Sequence, residues 1–313
     1  MSLYLVTGGA GFIGSNIVEK LLSIGEKVRV LDNFSTGKRG NILPFLDRIE
    51  LVEGDIRSYH IVREAVDGVD FILHQAALPS VPRSIKDPIT TNEVNVAGTL
   101  NILEAAKNTG IKRVVYASSS SVFGNSAILP KKEDMATEPV SPYAVSKLAG
   151  EKYCKVFFKV FGLETVILRY FNVFGPKQDP TSQYSGVIAK FINAFLNNKP
   201  ITVYGDGEQS RDFTYVEDVV EANIISANCS SDCAGEVFNA ARGDRVTLNQ
   251  MIKLLKEIFN IDKQVIYTAP RPGDVKHSEA DVSKIERELG YKTKTAFKDG
   301  LTKTVNWYKK VER

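Results

Sequence analysis

Histidine, cysteine and tryptophan are scarce in this chain: three, three and one among 313 residues. His60, His74 and His277 lie far apart, with no pair at metal-ligand spacing, so no zinc site is expected. Cys154, Cys229 and Cys233 form neither a C-x-x-C motif nor a disulfide framework, which points to free thiols in a reducing compartment. A surplus of one charge is also missing. The formal net charge of +3 is spread along the chain and leaves no nucleic-acid footprint. No apolar run approaches the roughly 20 residues that span a bilayer. The opening MSLYLVTGG has no basic region and meets glycine too soon for a secretory leader. The expectation is a soluble, cytoplasmic protein with no nucleic-acid or membrane partner.

What is present is an ordinary globular composition, 43% hydrophobic and 25% charged. The length allows one large core or two lobes around a cleft. In the first half, LYLVTG, KVRVLD, IELVEGD, DFILHQAA and RVVYASS read as buried strands. Between them SNIVEKLLSIG, HIVREAVDG and VAGTLNILEAAKNTG read as helices, stopped by Gly25, Gly68 and Gly110. Such alternation predicts a parallel sheet with right-handed crossovers. TVILRYFNV adds a strand; helices are expected around 186–197 and 247–260, in a looser second lobe. FTYVEDVVEANIISA and EVFNA should return to the first lobe. The predicted fold is α/β: a Rossmann-type parallel sheet (1–174 plus about 212–240) with a smaller α/β lobe (about 175–211 plus 241–313).

VTGGAGFIGSNIVEKLL sets Gly8, Gly11 and Gly14 between a strand and a helix. Small residues there permit a tight turn, close approach of backbone N–H groups to a pyrophosphate, and close helix–strand packing. The helix N-terminus then faces the phosphate charge. Asp32 follows about 20 residues on, at the end of the second strand, where a carboxylate holds ribose hydroxyls and repels a 2′-phosphate. That favours NAD over NADP. Asp55, after the third strand, is placed to reach adenine or to cap the next helix.

SPYAVSKLAG puts Tyr143 and Lys147 four residues apart, just inside a helix opened by Ser-Pro. Spacing alone is weak, because about one Y-x-x-x-K arises by composition. The serine run in YASSSSVFG follows a strand at the carboxyl edge of the sheet, where such folds bind ligands. Any one of these serines could instead cap a turn.

Taken in order, TGGAGFIGSN, DNFSTG, GDIRS, HQAALPSVPRS, NVAGTLNILEAA, YASSSSVFG, SPYAVSKLAGE, LRYFNVFGP, GDGEQSRDFTYVEDVVEA and RPGDVKHSEAD cover nearly the whole chain. Together they resemble the extended short-chain dehydrogenase/reductase family, and within it the UDP-sugar 4-epimerases. The group acting on UDP-N-acetylglucosamine is the nearest match. The resemblance implies NAD as cofactor, a UDP-sugar as substrate and a homodimer paired through the helices at about 93–108 and from Pro142.

By the same resemblance Tyr143 is the base, Lys147 its cationic helper and holder of the nicotinamide ribose, and Ser119 the substrate-polarising hydroxyl, with Ser120 beside it. Phe12, Ile13, Asn33, Ile56, Gln75, Ala76, Ala77 and Tyr170 join Gly8, Gly11, Gly14, Asp32 and Asp55 as implied cofactor contacts. Implied substrate contacts are Asn172 and Arg211 at the diphosphate, Arg271 at the phosphate and ribose, Asp274 at the uridine ribose and Tyr204 near uracil. Ser84, Val187, Gln178 and Ser278 complete the set, the last two facing an N-acetyl arm. His74 is read as structural. Phe123 stands where many relatives carry Tyr, and Pro79 where some close relatives carry Gly. Two alternatives stay open: a UDP-uronic acid 4-epimerase, for which no extra cation near C6 is identified, and an idle NAD-binding regulator. Ser120 and Ser121 lack the acids a sugar dehydratase needs.

Overall fold

The structure is a computed structural model that describes residues 1–180, 186–270 and 276–311. Its strands are β1 (Leu3–Thr7), β2 (Lys27–Asp32), β3 (Ile49–Glu53), β4 (Phe71–His74), β5 (Arg113–Ser119), β6 (Thr165–Tyr170), β7 (Ile201–Tyr204), β8 (Ser210–Arg211), β9 (Val237–Ala240), β10 (Val246–Thr247) and β11 (Val265–Thr268). The helices are α1 (Phe12–Ser23), α2 (Tyr59–Val66), α3 (Val81–Lys86), α4 (Pro88–Asn92), α5 (Gly98–Ala106), α6 (Pro142–Phe161), α7 (Val187–Leu196), α8 (Val216–Asn228), α9 (Leu248–Phe259), α10 (Ser283–Leu289) and α11 (Phe297–Val311).

Strands β1, β4, β5 and β6 are rich in apolar residues and buried along almost their whole length, as central strands of a sheet covered on both faces must be. They form the middle of a seven-stranded sheet in the order β3-β2-β1-β4-β5-β6-β9, every neighbouring pair parallel. The chain runs outward from β1 to β3, then restarts on the other side with β4. That reversal between β1 and β4 opens a crevice at the carboxyl edge. The segment after 212 lies against this sheet: Val237 pairs with Ile167, and α8 packs beside α1.

Two apolar cores hold the sheet. On one face Val6, Val30 and Leu73 meet α1 and α8. The same cluster runs on through Phe191, Met251, Leu301 and Tyr308, so the lobes share one core rather than a hinge. On the other face Leu5, Leu31 and Ile72 pack against α2, α5 and α6. The smaller lobe carries two ribbons, β8 with β10 antiparallel and β7 with β11 parallel. None of the described helices is long and apolar enough to cross a membrane.

The cysteine expectation needs correction. Cys229 and Cys233 are joined by a disulfide across a C-x3-C spacing, beyond the end of α8. Buried Arg113 gathers this corner, donating to the Cys229 carbonyl at 2.7 Å and pairing with Glu164 at 2.5 Å. Only Cys154 is a free thiol among the described residues.

Candidate active site

The glycine turn is built as the residues require. Gly8 has φ +68°, and a Cβ there would lie 2.8 Å from the backbone of Ala76. At Gly14 a Cβ would strike the Gly8 carbonyl at 2.2 Å. Helix α1 starts at Phe12 behind Gly11 with no side-chain cap and no acid in its first turn, so its first N–H groups stay open to an anion. Asp32 fastens this turn to the end of β2: its carboxylate accepts from Ala10 N at 2.9 Å and Phe34 N at 2.8 Å. Burial raises its pKa, and those two backbone bonds oppose the rise. Asp55 does not cap α2. It closes a turn onto Arg57 N (2.9 Å), pairs with the Arg57 guanidinium (2.8 Å) and accepts from the Asn33 amide (2.7 Å). The Arg57 hydrogen bond holds its carboxyl below the usual range.

These groups line one cleft of about 670 Å³ at the crevice. Every implied cofactor residue is on its wall: Gly8, Gly11, Phe12, Ile13, Gly14, Asp32, Asn33, Asp55, Ile56, Gln75, Ala76, Ala77, Tyr143, Lys147 and Tyr170. The set fits a dinucleotide, with a cradle no side chain could enter at one end and the Tyr-Lys pair at the other. Ala for Asp32 should weaken NAD retention about tenfold or more and let NADP compete. Titrating stripped protein with both nucleotides checks this; an unchanged preference would reject Asp32 as selector.

Helix α6 brings the pair to the cleft. Ser141 caps it through Ala144 N (3.2 Å), Pro142 fills the first position, and Gly162 ends it at φ +71°. Mid-helix Gly150 has its own reason. A Cβ there would lie 2.1 Å from the Tyr116 hydroxyl, so glycine lets α6 press against β5. Lys147 is thereby buried and donates to the Ala117 carbonyl at 2.8 Å, with its ammonium 5.1 Å above the Tyr116 ring. Burial lowers its pKa to about 8. Burial pushes the Tyr143 phenol up, and the nearby Ser119 hydroxyl pulls it down. Ser119 also accepts from Ser121 N at 3.2 Å, so the turn-capping and functional readings of this serine coexist.

Behind the wall, Tyr170 and Gln75 are fixed by a residue that sequence reading missed. Asn223, buried on α8, donates to the Tyr170 hydroxyl at 2.8 Å and accepts from the Gln75 amide at 2.9 Å. His74 is structural, as expected. Its ring nitrogens meet Thr7 Oγ1 at 2.7 Å and Thr99 Oγ1 at 3.0 Å, and burial drops its pKa to about 3.

Implied substrate residues divide. Asn172, Val187, Tyr204 and Arg211 line a second cleft of about 490 Å³ in the smaller lobe, together with Lys190, Phe191 and Gln209. Gln178 lines the cofactor cleft instead. Ser278 is not on either wall, but its carbonyl accepts from Asp212 N at 2.8 Å, while the Asn172 amide donates to the Asp212 carbonyl at 3.1 Å. Asp212 is thus a further missed residue. Its buried carboxylate accepts from Arg242 N, Gly243 N and Ala280 N, and burial raises its pKa to about 6. Ser120 opens the short turn Ser120–Phe123 beside Ser119. Ser84 is fully buried and spends its hydroxyl on the Val81 carbonyl (2.8 Å), so it does not present a group to the cleft. Arg271 and Asp274 lie outside the described residues. Arg83, which sequence reading passed over, lines the cofactor cleft.

Residues 4–241 match the NAD dependent epimerase/dehydratase family. Among solved structures the chain is similar to a UDP-N-acetylglucosamine 4-epimerase from Methanobrevibacter ruminantium M1 in complex with UDP-N-acetylmuramic acid (40% identity, 99% of each chain covered, TM-score 0.94). It is similar to the UDP-glucose 4-epimerase of Thermotoga maritima with UDP-glucose (36% identity, 99% of this chain and 100% of that one, TM-score 0.94). A third is the UDP-glucuronic acid 4-epimerase of Bacillus cereus in complex with UDP-glucuronic acid and NAD (33% identity, 99% of each chain, TM-score 0.91).

Proposed function

Because this chain belongs to the NAD dependent epimerase/dehydratase family and is an isomerase of the UDP-sugar 4-epimerase kind, we propose that it interconverts UDP-N-acetylglucosamine and UDP-N-acetylgalactosamine, and also UDP-glucose and UDP-galactose, through a 4-keto sugar. The observation that carries the acetylated pair is Gln178. It lines the same cleft as Tyr143, and its buried Oε1 has no hydrogen-bond partner among the described residues. An acetamido N–H would satisfy it. Ser278 lies off both cleft walls, with its carbonyl bonded to Asp212 N, and its side chain is small at the position that the resemblance gives to the gate.

Tyr143 takes the proton from the sugar 4-hydroxyl and returns it after the keto sugar has turned. The cleft residues Gly8, Gly11, Gly14, Asp32 and Lys147 would hold NAD, which would supply a reversible hydride acceptor for C4. Ser119, near Tyr143, holds the reacting oxygen. Lowering a phenol from about 10 to about 7 takes roughly 4 kcal/mol of anion stabilisation. The buried Lys147 ammonium supplies part of it where little water competes. An idle regulator would have no use for this constellation.

A second reading has one observation in its favour. Arg83 provides a cation on the cofactor cleft, suited to a carboxylate on the sugar; two of the similar structures above hold UDP-sugars that carry one. Ser278→Tyr separates the main reading from its rivals: it should remove activity on the acetylated pair while sparing UDP-glucose and UDP-galactose. Equal loss on both classes would reject Ser278 as the gate. If UDP-glucuronic acid outpaces the acetylated sugars and Arg83→Gln abolishes that lead, the acidic reading replaces the first.

The protein is further proposed to be a homodimer through α5 and α6. Val145, Val156 and Val160 form an apolar stripe on α6 that is 52%, 49% and 63% exposed, far more than a helix covering only its own sheet requires. Light scattering at micromolar concentration should give twice the 34.6 kDa chain mass; a monomer mass would remove this claim.

A further inference from the structure

Helix α6 meets β5 through three residues one turn apart. Tyr143 lies near Ser119, Lys147 donates to the Ala117 carbonyl, and Glu151 accepts from the Ser118 hydroxyl at 2.5 Å. The third contact lies outside the reaction described above. Glu151 is itself gripped by Arg169, whose Nε and Nη2 reach its two oxygens at 2.9 Å each. Arg169 stands directly across from Ser118 in the β5–β6 register. Its remaining nitrogen donates to the Glu133 carbonyl at 3.2 Å, and its guanidinium lies 4.7 Å from the Phe123 ring centroid. Ser118, Glu151 and Arg169 are all buried. A bidentate buried pair of this kind is kept in place from several sides, so it defines a fixed charge rather than a mobile one.

We infer that Glu151, held by Arg169, is a positioning residue for the reaction: it supplies a negative charge one helical turn along α6 from Lys147 and fixes the end of β5 that carries Ser119. The surroundings of Lys147 support this. Tyr116 on β5, His74 on β4, and Tyr143 and Cys154 on α6 are the other titratable groups near it. Burial keeps the Tyr116 phenol and the Cys154 thiol protonated and His74 neutral around pH 7. Glu151 is therefore the carboxylate of this group, and it opposes the burial that drives Lys147 toward the neutral amine. Arg169 contributes a compensating positive charge one step farther away, so Glu151 acts at short range only.

The inference rests on the epimerase reading, which wild-type turnover tests independently. The experiment is the pH profile of NAD-loaded Glu151→Gln. Without the carboxylate, the alkaline limb of kcat should move to lower pH by about one unit. KM should change less than about twofold, because Glu151 touches no substrate. A folded variant whose limb stays in place overturns the proposal, even if its turnover falls, since that outcome marks a purely structural role. Should Gln at 151 prevent folding by leaving Arg169 unpaired, the double variant Glu151→Met/Arg169→Met replaces the pair with apolar side chains. Its limb must then move in the same direction but by less, because the opposing Arg169 charge is lost as well, and an unmoved limb there refutes the inference equally.

Discussion

Tyr143→Phe is expected to lower turnover on any UDP-sugar substrate by about three to four orders of magnitude while leaving the fold and bound NAD in place. Phenylalanine keeps the ring on the cleft wall and removes only the hydroxyl. No other described group takes over. Lys147 is committed to the Ala117 carbonyl, and His74 is sealed between two threonines with its pKa near 3. The checks are epimer formation by chromatography and release of the dinucleotide on denaturation. Near-normal turnover would dismiss Tyr143 as the base; loss of NAD would make the variant uninformative about proton transfer and would point to a role in cofactor retention.

Lys147→Met should cost about two to three orders of magnitude in turnover without lowering stability near neutral pH. The second half follows from the sign of the lysine shift. Its folded pKa of about 8 lies below the ordinary value of 10.5. Between these pH values the unfolded chain holds a proton that the native state has released, so stability rises with pH across that window. At neutral pH the native protein therefore carries a burden of about 3 kcal/mol for keeping the buried ammonium charged. Methionine fills a similar volume without a charge. A thermal melt at pH 7 should show a transition no lower than wild type, beside a nearly inactive enzyme. A clearly lower transition would show that the Ala117 bond outweighs the burial cost. Unimpaired turnover would show that the ammonium does not assist Tyr143.

Much of the sheet was legible because its signals are local. LYLVT, KVRVLD and RVVYASS are apolar over a strand's length, and Gly25, Gly68 and Gly110 take left-handed conformations just past their helices. The glycine turn and Asp32 were legible for a similar reason, since a strand, a turn and a helix are contiguous. What escaped detection depends on partners far apart in the chain. Asn223 looks like any polar residue within a helix until folding sets it against Tyr170, 53 residues earlier. Asp212 owes its role to backbone N–H groups about 30 and 68 residues away. Ser84 was misjudged because spacing cannot show that its hydroxyl turns inward to Val81. The Cys229–Cys233 bond was excluded on motif grounds, although a turn after α8 brings the two residues together. Arg83 was overlooked because a lone arginine in a proline-flanked turn carries no pattern; only the cleft gives it meaning.

The central claim is C4 epimerisation of a UDP-hexose by a protein that regenerates its own NAD. Its most direct test is to incubate the purified protein, with no added cofactor, with UDP-N-acetylglucosamine in one sample and UDP-N-acetylgalactosamine in another. The account predicts that both samples converge on the same mixture of the two C4 epimers. It is contradicted if neither sugar, nor UDP-glucose or UDP-galactose in parallel, gains its epimer while the denatured protein releases NAD.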